Sequence, residues 1–283
     1  ANSILLVDDR PAFPRIVPYQ GEPLGLLRQL GFNTVWLTER PDARVLDECK
    51  RLGLWLIAAP PIGPPGAEAA NEGPRGVIGP EYDGVLAWDL GRGLAEADAA
   101  VTKRWADQVR MSDRRQPGRP VVCGVSSDVR TFGRNADILL LGRSPLGSSL
   151  ELSEYGTWLR QQPQLTRPGV PIWSIVQTQP SDTLRQQWGA LGTGAIPGAF
   201  SGEQIQLLAY TALRAGSRGL VFESFSPLSN SDPDTRSRAL TLELVNLHLD
   251  IAEPWMATGT LSATINGSEE GVSAAVFQAE HGR

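Results

Sequence analysis

The chain is short of cysteine, histidine and long apolar runs, and each shortage removes a class of function. Its 283 residues include two cysteines and two histidines. His248 and His281 are too few for a His-rich metal site, so no metal or other cofactor is expected. Cys49 falls in a helical pattern and Cys123 in the apolar run Val121-Val122-Cys123-Gly124-Val125. Both read as buried thiols, because free cysteine packs as a small hydrophobe. No apolar stretch reaches about 18 residues, so no membrane-spanning helix is expected. Basic excess is also missing. The net charge of -5 disfavours nucleic acid and anionic membranes. The first residues carry no leader pattern, and a start at Ala1 leaves room for one already removed.

What is present is ordinary globular material, 41% hydrophobic and 20% charged. Short apolar runs alternate with amphipathic stretches, the pattern of an α/β chain with a parallel sheet. Eight strand candidates stand at 15–19, 34–37, 55–59, 85–89, 121–126, 138–141, 172–177 and 219–225. Helical patterns at 24–30, 43–52, 95–109, 152–160, 184–191, 202–215 and 236–252 separate or follow them. Eight such units predict a closed (β/α)8 TIM barrel of about 250 residues. The alternative is an open doubly wound sheet, which carries a glycine-rich phosphate loop after its first strand. Here Gln20-Gly21-Glu22-Pro23 follows instead.

Ahead of the barrel, Ile4-Leu5-Leu6-Val7 and Asp8-Asp9-Arg10-Pro11 read as strand and turn, a hairpin plugging the barrel floor. The Pro/Gly-rich stretch 60–84 reads as a loop above the third strand. Beyond Trp255 two strand-like runs flank Asn266-Gly267-Ser268, which also fits a short glycosylation sequon. The expected division is a barrel over 1–257 and the start of an all-β domain over 258–283, continuing past Arg283.

Four stretches resemble clan A glycoside hydrolases, nearest the family 42 type and related bacterial barrels. Gly31-Phe32-Asn33-Thr34-Val35-Trp36-Leu37 resembles their second strand. Asp83 to Gly91 resembles their fourth, Pro171 to Gln177 their seventh, and Gln204 to Phe225 their eighth helix-strand unit. The resemblance implies an acid/base glutamate preceded by asparagine just after strand four, and a nucleophilic glutamate ending strand seven. Arg92 and Gly93 occupy the first pair of positions, and Gln177-Thr178-Gln179 the second. Glycine cannot carry a proton, and a glutamine amide is a poor nucleophile.

Barrel active sites lie at the carboxyl ends of the strands. The acids there are Glu39, Asp89 and Glu223. Period-two alternation places Val85, Ala87 and Asp89 on one face, and Val221, Glu223 and Phe225 on another. Both sets are expected to face the interior. Buried carboxylates are usually paired, and Arg15, Arg92 and Arg143 are the candidate partners. Trp36 could stack on a sugar or fill the core, while Trp88 and Trp173 are expected beneath the helices.

The expected function is therefore a carbohydrate-binding or structural module of a larger extracellular or periplasmic protein. Asp89 and Glu223 are its candidate catalytic groups if activity survives. Gln20, Trp36, Glu39, Arg92, Arg143, Gln177 and Gln179 are the candidate groups for an oligosaccharide or polysaccharide. The alternative is an active glycosidase using Asp89 and Glu223.

Overall fold

Two short strands open the chain. In the computed structural model, β1 (Leu5–Val7) and β2 (Arg10–Ala12) pair antiparallel, Leu5 opposite Ala12. Asp8 and Asp9 join them at φ of 48° and 60°. A two-residue type I′ turn demands two such left-handed residues, and aspartate tolerates them better than most. The structure describes residues 4–65, 77–115, 117–192, 199–266 and 272–279. The middle of the 60–84 loop, most of the Asn266-Gly267-Ser268 turn, and His281 lie outside the described residues.

The barrel units follow in order. β3 (Arg15–Pro18) leads to α1 (Leu24–Gln29), and β4 (Thr34–Trp36) to α2 (Ala43–Leu52). After β5 (Trp55–Ala58) the described residues hold a short 3-10 turn, Pro80–Tyr82, rather than an α-helix. β6 (Val85–Asp89) is followed by α3 (Ala99–Ser112), and β7 (Val121–Gly124) by α4 (Val129–Asn135). Next come β8 (Ile138–Leu141), α5 (Leu152–Gln161) and β9 (Ile172–Val176). Two helices, α6 (Asp182–Ala190) and α7 (Gly202–Arg214), precede β10 (Leu220–Phe222), and α8 (Pro233–Thr258) closes the ring. All eight strands β3 to β10 pair in parallel and in chain order, and β10 closes on β3 with Leu220 opposite Arg15. The fold is a (β/α)8 barrel, and the open sheet is excluded.

Local chemistry starts and stops these helices. The Asp42 carboxylate accepts from Val45 N at 2.7 Å, and Gly53 at φ 65° ends α2. Ser201 and Gln204 form a capping box on α7. Asp232 caps α8 with Pro233 in its first turn. Gly31 sits at φ 84°, where an added Cβ would lie 2.7 Å from Asn246 Cβ. That close approach docks α1 on α8, and the Asn246 amide donates to Leu30 O at 2.8 Å.

Two cores result. The outer one, between strands and helices, includes Phe32, Val35, Trp88, Val121, Phe222 and Val245. The inner one fills the barrel with Ile16, Trp36, Ile57, Ala87, Val122, Leu140, Trp173 and Val221. Trp88 is beneath the helices as expected, donating to Asp113 at 3.2 Å. Trp173 is not. It alternates in phase with Ile175 and Gln177, and Gly219 leaves the room its ring needs. Val85 also departs from expectation. Leu56 pairs with Val85 but Ile57 with Ala87, an irregularity of register that turns Val85 to the helix side.

At the floor, Leu5 of the hairpin packs against the inner core. Arg15, 4% exposed, binds Asp250 at 2.9 Å and Glu253 at 3.2 Å on α8. Arg15 begins β3, so it lies at the end of the barrel opposite Asp89 and Glu223 and cannot pair with either. Beyond α8, β11 (Thr260–Asn266) and β12 (Ser273–Gln278) form a separate antiparallel sheet of two strands. Cys49 and Cys123 are free and buried, and burial pushes each thiol up to about 12. Among the described residues no helix is long and apolar enough to cross a membrane, and no cluster of ligating side chains could hold a metal ion.

Candidate functional site at the barrel mouth

The carboxyl ends of β4, β6 and β10 converge on one charged group. Asp89 ends β6 and is 8% exposed. Its Oδ2 accepts from Trp36 Nε1 at 2.8 Å and its Oδ1 from Gly91 N at 2.9 Å. Burial raises the Asp89 pKa above the ordinary aspartate value, while the Gly91 and Trp36 hydrogen bonds and the charge of Arg92 oppose the rise. Arg92 lays its guanidinium 4.0 Å over the Trp36 ring. It is exposed to the opening yet crowded by protein, and desolvation lowers its pKa against the pull of Asp89 and Glu223. Glu223 follows β10 and is half-buried. Burial raises its pKa and Arg92 lowers it. Arg92 is thus the shared counter-charge of both acids.

Glycines make this arrangement possible. Gly124 ends β7, and a Cβ there would lie 3.0 Å from Arg92 Cα. Its absence lets the segment 91–93 fold across the mouth, fastened by Gly124 N donating to Gly91 O at 2.8 Å. Gly91 and Gly93 have φ of 122° and 67°, conformations that L side chains rarely adopt. The Arg92-Gly93 pair is therefore part of a differently folded turn, and more than a side-chain swap separates it from an Asn-Glu pair.

The amides at the strand ends hold loops. Gln177, 2% exposed, accepts from Leu146 N at 2.9 Å. Gln179 accepts from Ser226 Oγ at 3.3 Å, and Arg238 binds the Ser226 carbonyl at 3.0 Å. Burial pulls Arg238 down to about 10, with Asp232 and Glu22 pulling the other way. The Gln20 amide donates to Ser224 O at 2.8 Å, and Thr178 Oγ1 donates to the Glu223 carbonyl. These bonds tie the ends of β3, β9 and β10 together.

The structure brings Trp36, Asp89, Arg92 and Glu223 together and leaves two expected residues elsewhere. Glu39 is exposed in a separate cavity of about 500 Å³, with Tyr19, Gln20, Asp42 and Val45. Arg143 stacks 4.4 Å over Trp158 in a groove of about 470 Å³ beside α4 and α5. It is a partner of neither acid. Alternation sets in or out only within a strand, and both residues stand in loops that have already turned away. Trp36 is fully buried under Arg92, so it offers no face for stacking. Phe225, which alternation sets on the face of Val221 and Glu223 toward the interior, instead follows the end of β10 in a bend. It is 49% exposed at this strand end.

The chain matches no family model and no curated protein sequence. Solved structures do resemble it. A protein assigned as an α-L-fucosidase, from Bacteroides thetaiotaomicron, superposes with a TM-score of 0.54 at 9% identity, over 85% of this chain and 96% of that one. A β-glucuronidase from Ruminococcus gnavus gives 0.51 at 13% identity, over 87% of this chain and 51% of that one. This chain therefore spans about half the length of the glucuronidase. A family 17 β-1,3-glucanosyltransferase from Rhizomucor miehei gives 0.49 at 12% identity, over 80% and 90%. At such identities the first two superpositions show the fold alone, a TIM barrel shared with these glycoside hydrolases.

Proposed function

We propose that this chain is a carbohydrate-binding barrel of glycoside hydrolase descent, on the clan A plan and nearest the family 42 type, that holds a glycan without cleaving it. The carrying observation is the condition of the two mouth acids. Asp89 has both oxygens engaged, by Trp36 and Gly91. Glu223 shares Arg92 with it. Hydrolysis needs two available carboxyl groups, about 5 Å apart for retention and about 6.5–9.5 Å for inversion. The positions where the resemblance implies them hold Gly93 and Gln177, and the Gln177 amide is already bonded. One free carboxylate can bind a hydroxyl but cannot both protonate and attack.

The groups facing the opening suit a sugar. Glu223 accepts from hydroxyls and Arg92 donates to them, while Phe225 has an apolar ring face to offer. On this reading the barrel, 1–257, serves a larger extracellular or periplasmic protein, with 258–283 opening a further β-rich domain. The second reading, a glycosidase using Asp89 and Glu223, is favoured by one observation. Burial lifts both acids, which is what a general acid requires.

Isothermal titration against a panel of neutral and acidic oligosaccharides tests the binding role. Saturable binding is expected for at least one glycan, weakened about tenfold or more in Phe225→Ala and in Arg92→Ala, as the loss of one good contact implies. Failure of the whole panel to bind, or binding indifferent to both changes, would contradict it.

A further inference from the structure

Helix α8 is apolar on two opposite faces. Its inner face, with Leu242, Val245 and Leu249, is buried on the barrel. On the outer face Leu240, Leu244, Leu247, Ile251 and Trp255 are 65%, 47%, 56%, 69% and 48% exposed. Successive steps of four, three, four and four residues keep these five in one line along the helix. The line broadens sideways onto α7. Tyr210 bonds His248 at 2.9 Å, which brings Leu207, 54% exposed, and Tyr210, 42% exposed, alongside. A solvent-facing helix carries polar residues on its outer side, and one apolar all round is ordinarily buried.

We infer that the α8 stripe is the interface of a two-fold dimer, in which α8 of one copy packs antiparallel against α8 of a second. Size is the first argument. With side chains of these kinds, the fractions exposed amount to roughly 700 Å² of apolar surface, above the roughly 300–600 Å² of the largest patch on a typical monomer and close to the roughly 800 Å² per partner of a standard interface. Shape is the second. A two-fold interface must be complementary to itself, and a straight stripe of similar branched side chains meets this condition when two helices run antiparallel. With the axis between Leu244 and Leu247, Leu240 of each copy meets Ile251 of the other, and Trp255 lies beyond this core at the end of the line. The groups in the line carry no charge, so association is driven by burial and is insensitive to salt.

Sedimentation velocity of the whole chain over about 1–100 µM, in low salt and at about 1 M, tests this. The expected species has the mass of two chains in both. Leu244→Glu with Leu247→Glu should give a monomer with unchanged circular dichroism and thermal midpoint, because both positions are exposed in the single chain. Ile265→Glu, on the β11 strand beyond the stripe, should leave the dimer intact. A wild-type monomer across the range, or a dimer that survives the double substitution, would overturn the inference. So would a dimer lost equally on Ile265→Glu, or one that dissociates in high salt.

Discussion

Each end of this barrel holds one arginine facing two carboxylates, and the two arrangements are built to different ends. At the floor Arg15 makes direct contacts of 2.9 and 3.2 Å with Asp250 and Glu253, and Glu253 also accepts from Phe13 N at 3.1 Å. That set clamps α8 to the start of β3. At the mouth Arg92 lies over Trp36, exposed to solvent, between two acids whose pKa values burial has raised. The floor arginine is buried and directly paired, with only its Nε left without a hydrogen-bond partner among the described residues. At the mouth Arg92 is exposed and Glu223 half-buried, and among the described residues no direct ion pair fixes them.

The sharpest way to break the comparison is Arg15→Ala. Losing two charge-assisted contacts, one of them to a largely exposed aspartate, should cost about 2–3 kcal/mol, read as a lower denaturant midpoint at unchanged slope. A loss under about 0.5 kcal/mol would mean the floor is no clamp. Next is Asp89→Asn. An asparagine offers one acceptor where two donors, Trp36 Nε1 and Gly91 N, now point. About 1–2 kcal/mol should be lost near neutral pH. The pH profile sharpens the same point. An acid whose pKa is raised on folding stabilises the fold while protonated. That contribution is whole below about pH 4 and fades as the pH climbs through the raised value. The Asp89 contribution should therefore fall with pH over that window, so the stability of Asp89→Asn relative to the wild type should rise as pH climbs. A slope unchanged by the substitution would show that Asp89 does not titrate as described.

Gly93→Glu comes third. Nothing lies within 4 Å of the added Cβ, but φ of 67° disfavours any L side chain, so about 1 kcal/mol should be lost. It should create no hydrolysis, since Gln177 remains tied to Leu146 N. Appearance of turnover would contradict the proposed absence of a working carboxyl pair. The smallest effect on stability belongs to Arg92→Leu, which should cost about 0.5–1 kcal/mol near neutral pH through the lost contact over Trp36 and the lost counter-charge of both acids. Its signature is elsewhere. Without the guanidinium, the carboxyl resonances of Glu223 and Asp89 should titrate at higher pH. A downward shift would contradict the described field.

The sequence carried the frame of this molecule better than its mouth. Alternating strand and helix patterns located all eight strands, and α2 spans 43–52 as its periodicity predicts. Caps such as Asp42 and Ser201 are local, and local signals survive translation into structure. Within strands, period two placed Val221 and Ala87 inside and puts Trp173 there too, in phase with Gln177, but ring size argues for a place beneath the helices until Gly219 is seen to make room; the register change in β6 was missed. Those depend on a partner strand and on a neighbour's missing side chain. Asp89, Arg92 and Glu223 could be grouped because strand ends converge in any barrel. Glu39 and Arg143 could not be separated from them, since a loop's direction after its strand is set by tertiary packing. The exposure of Phe225 was invisible for the same reason.

The central claim is that the mouth lacks a working pair of carboxyl groups. Turnover of a panel of aryl glycosides by the wild type and by Glu223→Gln measures this directly. The account predicts no release above the uncatalysed rate from either protein. Robust turnover by the wild type, abolished in Glu223→Gln, would contradict it and make Glu223 a catalytic residue.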